Sequence, residues 1–379
     1  MKVIYISHSK NIQGAANALI NIVDGIRKFG CEPIVIVPGK GDLLDRLMLL
    51  DIKTYIINCE QIVYPSLYSI KDFALWPIRV FFTIFISLIA FFKLRRIVKI
   101  EKPDIIHSNT GIIRYGAQVA KRYGIPHVWH IREYQTRDFN WKPIGGERML
   151  KDLFSQSNNH CIAISKGIFE YFNLTDKDIQ IYDGVFHDNI KLPSRKIGFD
   201  YFLYVGSISY GKGILDALDA FNKVASIHKD CKFLIAGRGG VDIEKEISKS
   251  FYADRIQYLG QRRDIFELMS GALALLVPSY YEGFGFITVE AMLNKCIVIG
   301  RDTAGTKEQF DNGKKLSGLE IGLRFNTKAE LADRMLSILD DNNSHFFDIM
   351  RNNAWNVVNE LYPIEKNVKS IYKYYCSLL

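Results

Sequence analysis

The 379 residues contain neither a disulfide framework nor a zinc centre. The six cysteines (Cys31, Cys59, Cys161, Cys231, Cys296, Cys376) are scattered, form no C-x-x-C pair, and have no histidine at ligand spacing. No G-x-G-x-x-G follows the first apolar run, which argues against a dinucleotide oxidoreductase. The opening Met1-Lys2-Val3-Ile4-Tyr5-Ile6-Ser7-His8 reads as a β-strand and lacks the apolar core of a signal peptide, so a cytoplasmic location is expected. Low-complexity tracts and internal repeats are also missing. Hydrophobic content of 48% against 24% charge is that of a globular chain, and the length predicts two domains of about 180 residues.

The formal charge of +8 favours an anionic partner: a nucleotide diphosphate, nucleic acid or an anionic membrane face. Arg79 on one side and Lys93, Arg95, Arg96, Lys99 and Lys102 on the other bracket the most apolar stretch, residues 80–92. As a helix these thirteen residues measure only about 20 Å, against about 30 Å of bilayer hydrocarbon, and Pro77 and Arg79 interrupt any longer run. The expectation is a helix near residues 78–96 that lies on a membrane with a basic collar toward anionic headgroups; a fully buried core helix is the alternative.

Apolar runs of strand length alternate with helical patterns in both halves. Strands are expected at 2–7, 32–37, 104–107, 126–131, 162–165 and 179–182, then at 201–205, 232–236, 256–259, 272–277 and 296–300. The polar stretch 186–199, with Pro193-Ser194-Arg195-Lys196, reads as the linker. The fold class is α/β, with parallel sheets covered by helices on both faces. In such sheets ligands bind beyond the carboxyl ends of the strands.

The run 272–278 leads into Tyr280-Tyr281-Glu282-Gly283-Phe284-Gly285-Phe286-Ile287-Thr288-Val289-Glu290-Ala291-Met292. Two carboxylates stand eight residues apart across a glycine-bearing strand-to-helix junction. Each is able to accept from vicinal hydroxyls, one set on a hexose and one on a ribose, while the helix start favours an anion. A solvated loop charge and a helix-surface charge are the bland alternative.

This segment resembles the E-x7-E signature of the retaining glycosyltransferases of family four, with Glu282 and Glu290 on its two glutamates. The resemblance implies the GT-B fold: two doubly wound, Rossmann-like domains facing a cleft, with the last helix crossing back to the first domain. The implied domains are 1–190 for the acceptor and 200–362 for the nucleotide sugar, with 363–379 as the returning helix. Gly206-Ser207-Ile208-Ser209-Tyr210-Gly211-Lys212-Gly213 resembles the family loop G-R-x-x-x-x-K-G; Lys212 takes the diphosphate-binding place, Ser207 stands where arginine is usual, and Arg238 is the expected substitute cation. Gln13-Gly14-Ala15 resembles a Gly-Gly-Ala loop of which only Gly14 is carried over. His130 resembles the family histidine near the donor sugar, and Asp183 stands in the asparagine place of an Asn-Gly-Val segment. His107-Ser108-Asn109-Thr110 is a weaker candidate for acceptor contacts, and residues 299–308 receive no role. The implied catalytic residues are Glu282, His130 and Lys212; Gly14, Gly206, Ser207, Arg238, Gly283, Phe284, Gly285, Phe286 and Glu290 bind substrate.

The implied reaction moves a glycosyl group from a nucleotide-diphospho-sugar donor to an acceptor hydroxyl with retention of configuration. No cofactor and no catalytic metal are expected. With the apolar segment, the acceptor class becomes a lipid-linked saccharide at the inner face of the membrane, in bacterial surface-polysaccharide (O-antigen or capsule) assembly, and nucleic acid is not a partner. A sugar-nucleotide epimerase of the same fold, or a nonenzymatic nucleotide-sugar or membrane-binding protein, are the alternatives.

Overall fold

Strand-length runs that are apolar at every position need cover on both faces, and the chain supplies it twice. The structure, a computed structural model, describes residues 1–59, 61–65, 67, 69–138, 140–193, 198–340 and 343–379; Ser194, Arg195 and Lys196 of the expected linker lie outside the described residues. One unit comprises Met1–Gly184 with Ile364–Leu379, the other Val185–Pro363.

The first unit holds β1 (Lys2–Ile6), β2 (Glu32–Val37), β3 (Lys53–Ile56), β4 (Val63–Pro65), β5 (Ile105–Ser108), β6 (His127–Ile131), β7 (Trp141–Pro143), β8 (Asn159–Ala163) and β9 (Ile179–Gln180). Seven of them form a parallel sheet in the order β3-β2-β1-β5-β6-β8-β9, and β4 pairs antiparallel with β7. Alternate residues serve opposite cores. Val3, Tyr5, Val35 and Val37 pack with helix α1 (Gly14–Gly25), helix α2 (Asp42–Leu49) and the last helix, Ile364–Leu378. Ile4, Ile6, Ile34 and Ile36 pack on the other side with Ala90, Leu94, Ile97 and Val98. The last helix is tied to the sheet unit by Asn367 Nδ2 donating to the Tyr182 carbonyl at 2.7 Å and by a 2.6 Å hydrogen bond between Tyr375 Oη and His107 Nδ1.

The second unit holds β10 (Tyr201–Val205), β11 (Lys232–Ala236), β12 (Ile256–Gly260), β13 (Ala274–Val277), β14 (Ile297–Arg301) and β15 (Leu323–Phe325), all parallel, in the order β12-β11-β10-β13-β14-β15. The strand order reverses between β10 and β13 here and between β1 and β5 in the first unit. Such reversal points are where loops splay apart and leave a crevice for ligand.

The apolar segment departs from expectation in length. It is one helix, α3 (Ile70–Glu101), of 32 residues and about 48 Å. By length and composition it is sufficient to cross a membrane. A capping box starts it: Ser69 Oγ accepts from the Asp72 amide at 3.1 Å, and the Asp72 carboxylate accepts from the Ser69 amide at 3.2 Å. Pro77 lies inside the helix without ending it. Proline removes one hydrogen bond near the amino-terminal end, where a strong cap has already fixed the first turns. The buried-core alternative fails, because Phe81 is 63% exposed and Phe85 50%, and only Ala90, Leu94, Ile97, Val98 and Glu101 are buried.

The root of α3 is pinned electrostatically. Glu101, 5% exposed, accepts from Lys53 Nζ at 2.6 Å, from Lys2 Nζ at 3.5 Å and from the Tyr55 hydroxyl, joining the helix to β1 and β3. Burial opposes its ionisation, yet the bonds from Lys53 and Tyr55 hold the carboxyl below its ordinary value. Its stabilisation is therefore present above the unfolded carboxylate pKa and fades as pH falls through the lower folded value. Glu101→Gln should lower the melting temperature at pH 7 by several degrees, equivalent to about 1.5–3 kcal/mol for a charged hydrogen-bond hub, with a smaller loss near pH 4. Equal melting curves at pH 7 would show that the hub contributes nothing.

Candidate functional site

Two loops at the β10/β13 reversal carry the charged pair. After β10 the chain makes a 3-10 turn, Tyr210–Lys212, and Gly213 follows with φ +69° at a place where a Cβ would lie 2.2 Å from the Pro278 carbonyl oxygen, so only glycine fits. Tyr280 N donates to the Gly211 carbonyl at 3.1 Å. This contact between loops brings Lys212 Nζ to 2.8 Å from Glu282 Oε1, with the side chains 28% and 16% exposed. Gly285, at φ +89°, turns the chain into the helix Phe286–Leu293. Glu290 lies one turn along it, half-buried, with no hydrogen-bond donor to its carboxylate among the described residues, and burial pushes its carboxyl up to about 7. Phe284, 3% exposed, packs inward, 5.3 Å in centroid distance from both Phe286 and Tyr362, so its ring serves the core. Gly283 and Phe286 are half-buried.

The loop after β11 runs alongside. Ile208 N donates to the Arg238 carbonyl at 3.1 Å, Gly206 N to the Ala236 carbonyl at 3.0 Å, and Gly237 N to the Gly260 carbonyl at 2.8 Å. Ser207 and Arg238 are both exposed on these paired loops, and the Arg238 guanidinium makes no ion pair among the described residues.

The sequence pattern assigns nothing to the polar scaffold beneath. Arg301, at the carboxyl end of β14 and 6% exposed, donates from Nε to the Pro278 carbonyl at 3.0 Å, from one terminal nitrogen to the Asn326 carbonyl at 2.9 Å and from the other to the buried Asp216 carboxylate. Its guanidinium also lies 4.2 Å from the Tyr280 ring centroid, and Tyr280 Oη donates to Asp216 at 2.8 Å. Gly305 N donates to the Glu282 carbonyl at 2.9 Å, and Gln309 Nε2 to the carbonyls of Phe284 at 2.7 Å and Gly285 at 3.2 Å. Residues 299–309 thus fix the backbone on which Glu282 sits. The available signal was a lone arginine ending a strand otherwise apolar, Ile297-Val298-Ile299-Gly300-Arg301.

His130 and Gly14 belong to the first unit. His130 has no exposed surface. Arg132 donates to its Nδ1 at 3.3 Å, which leaves the ring proton on Nε2, 3.8 Å from Asp183 Oδ1. Burial, then the charge of Arg132, holds the imidazole well below its ordinary pKa, hence neutral. Arg132 also pairs with Asp183 and donates to the Asn109 backbone at 3.1 Å and side chain at 3.2 Å; Asn109 Nδ2 in turn donates to the Ala15 carbonyl at 2.8 Å. His130 is therefore a buried member of a network linking β5, β6 and the start of α1. Gly14 opens α1 in the open, with nothing within 4 Å of a Cβ placed on it. One D-x-D spacing, Asp176-Lys177-Asp178, precedes β9, and Asp178 spends its oxygens on the amides of Cys161 at 2.8 Å and Thr175 at 2.9 Å.

The glycosyl transferases group 1 model matches residues 190–354, and the glycosyltransferase family 4 model matches residues 12–174. The chain belongs to the group 1 glycosyltransferases. An alpha-D-kanosaminyltransferase of Streptomyces kanamyceticus is 30% identical over 143 residues, 37% of this chain and 36% of that protein. A glycogen synthase of Mycobacterium tuberculosis is 25% identical over 256 residues, 63% of this chain and 61% of that protein, so the chain spans about a third to three fifths of these relatives. The crystal structure of Anabaena Alr3699/HepE in complex with UDP superposes over 100% of both chains with a TM-score of 0.78 at 18% identity. With the two parallel-sheet units, this likeness makes the fold of this group 1 glycosyltransferase the two-domain, Rossmann-like GT-B fold.

Loop packing at the site leaves no room for a methyl group at Gly237, which has φ +146° and whose added Cβ would lie 1.8 Å from the Gly206 carbonyl oxygen. Gly237→Ala should cost on the order of 3 kcal/mol or more, read as a clear drop in melting temperature. Gly240→Ala, with nothing within 4 Å, is the matched control and should leave it unchanged. Two equal melting temperatures would contradict the close approach.

Proposed function

We propose that the chain is a retaining, metal-independent glycosyltransferase that moves a glycosyl group from a nucleotide-diphospho-sugar to an acceptor hydroxyl. The observation that carries the reading is the Lys212–Glu282 pair at the strand-order reversal of the second unit, with Glu290 one turn into the helix that follows. In the reaction the bond from the anomeric carbon to the diphosphate oxygen breaks, the acceptor oxygen bonds to that carbon from the same face, and the departing diphosphate takes the acceptor proton. Lys212 stabilises the charge growing on the diphosphate; at about 4 Å and an effective dielectric near 20, such a contact is worth roughly 4 kcal/mol. Glu282 accepts hydrogen bonds from the sugar hydroxyls and Glu290 from the ribose. Arg238, on the loop paired with Ser207, supplies the second cation.

The acceptor class this reading favours is a lipid-borne saccharide at the inner face of a membrane, in surface-polysaccharide assembly, because α3 exposes an apolar surface that a soluble acceptor does not require. UDP-glucose is the first donor to try, since the Anabaena protein is described in complex with it.

Thermal stabilisation across a panel of nucleotide sugars tests donor binding, because a ligand that prefers the native state raises the melting temperature. With the donor so found, Glu282→Ala and Lys212→Ala should each lower turnover by about 10²–10³-fold, whereas Glu290→Ala should chiefly raise the donor KM. Equal, mild losses in all three would sink the assignment.

Glu290 gives the site a pH dependence of definite sign. Only the ionised carboxylate accepts from both ribose hydroxyls, and its pKa of about 7 means affinity rises with pH. Donor affinity by calorimetry should grow about tenfold from pH 6 to pH 8 as the ionised fraction increases, and Glu290→Gln should remove that slope. A slope that persists in the variant would assign it to another group.

A further inference from the structure

Protein meets α3 near its amino-terminal end and at its root, and the middle of the helix is uncovered. The Trp76 ring contacts that of Tyr64 in a tilted pair, 3.7 Å between centroids, near the amino-terminal end, while Ala90, Leu94, Ile97, Val98 and Glu101 enter the core at the root. At 100° per residue, Ile78, Phe81, Phe85, Leu88 and Phe92 fall in a single stripe on the opposite side, each at least half exposed. The same stripe continues through Arg96 and Lys99, with Arg95 beside them and its guanidinium 5.7 Å from the Phe91 and Phe92 ring centroids. No acidic residue occurs between Phe73 and Ile100.

We propose that α3 lies in the plane of a membrane surface, with the Ile78–Phe92 stripe in the boundary between headgroups and acyl chains and Arg95, Arg96 and Lys99 on anionic lipid phosphates. This deepens the lipid-acceptor reading by naming the docking face, and it is testable apart from transfer. The choice of a bilayer follows from the stripe's composition: about 21 Å of apolar side chains passes directly into cations without one compensating acid, which matches acyl chains bordered by phosphates. In-plane seating follows from the two ends. Lys71, Asp72 and Arg79 charge the amino-terminal end and Arg95, Arg96 and Lys99 the other, while contacts at both ends hold one side of the helix to the unit. A helix held at both ends by the same unit is not free to stand across the bilayer.

Flotation of the full-length protein with vesicles tests this, comparing phosphatidylcholine alone with a mixture containing roughly 30% phosphatidylglycerol at about 0.1 M salt. The protein should float with the anionic vesicles, be released by alkaline carbonate, and bind phosphatidylcholine much more weakly. Phe81→Asp with Phe85→Asp should abolish flotation, and Arg96→Gln with Lys99→Gln should weaken it about fivefold per charge removed. Unchanged melting temperature and unchanged stabilisation by donor confirm folded variants. Flotation of the double Asp variant equal to the parent's would overturn the docking face. Equal binding to both vesicles would overturn anionic recognition, and resistance to carbonate would overturn in-plane seating. A parent that self-associates through this stripe and does not float would show that a second copy covers it. Donor stabilisation without flotation removes the anchor and leaves the transferase; flotation without donor stabilisation by any nucleotide sugar does the reverse.

Discussion

The loop after β10 meets the loop after β13 backbone to backbone, and the geometry of the candidate site depends on that contact. At Gly213 a hydrogen replaces a side chain that would have met the Pro278 carbonyl at 2.2 Å, so two strands adjacent in the sheet but about 70 residues apart in sequence end side by side. Lys212 and Glu282 are close to this junction, and their 2.8 Å ion pair is a consequence of it. A larger residue at 213 would part the loops before any charge was lost. Glycine thus works here by permitting close approach, and the chemistry is carried by the neighbours it brings together.

What keeps the junction from loosening is a buried cation. Arg301 offers three directed donors to Pro278, Asn326 and Asp216, and the planar guanidinium lies against Tyr280 and Phe325. Lysine, a point charge, has no matching fork. Burying such an ion costs several kcal/mol unless its partners are fixed, and the partners here lie just after β13, just after β15 and in the helix Ile214–Ile227. The pair therefore acts less as a source of stability than as a constraint on register, since the three donors are satisfied together only when these elements are aligned. Asn109, Arg132 and Asp183 do the corresponding work in the first unit, where a buried guanidinium ties β5 and β6 to the start of α1.

This division explains which parts were legible. Parallel strands buried on both faces write themselves as unbroken apolar runs, so β1, β2, β10, β11 and β13 were readable nearly to the residue. Lys53–Ile56 at a sheet edge, three-residue β15 and the β4–β7 pair were not, because edge and very short strands need no such run. Glu282 and Glu290 were singled out by their spacing across a glycine-bearing strand end and Lys212 by the resemblance of its loop to the family pattern, and the structure brings Lys212 and Glu282 together. Arg301 and Asp216 were not, since their meaning lies in a contact across 85 residues that no local pattern encodes. His130 shows the converse: a histidine at the end of a strand reads as a ligand contact, while its complete burial behind Arg132 and Asp183 appears only in three dimensions.

Pro77 misleads about the extent of α3 for a related physical reason. A proline stops a helix when the lost hydrogen bond and ring clash outweigh the stabilisation of the turns beyond it. Beyond Pro77 the helix runs for 24 further residues and ends in a buried Glu101 that two lysines and a tyrosine hold. It is fixed at both extremities, by the Ser69–Asp72 box and by the Glu101 hub, so its interior has little freedom to break. Nothing in that arrangement requires the middle to be apolar. A polar outer stripe would have satisfied the same constraints and is the ordinary solution for a helix on a protein surface. The eight exposed large apolar side chains from Ile78 to Phe92 are therefore unexplained by folding, and the surplus apolar surface points to a partner outside the chain.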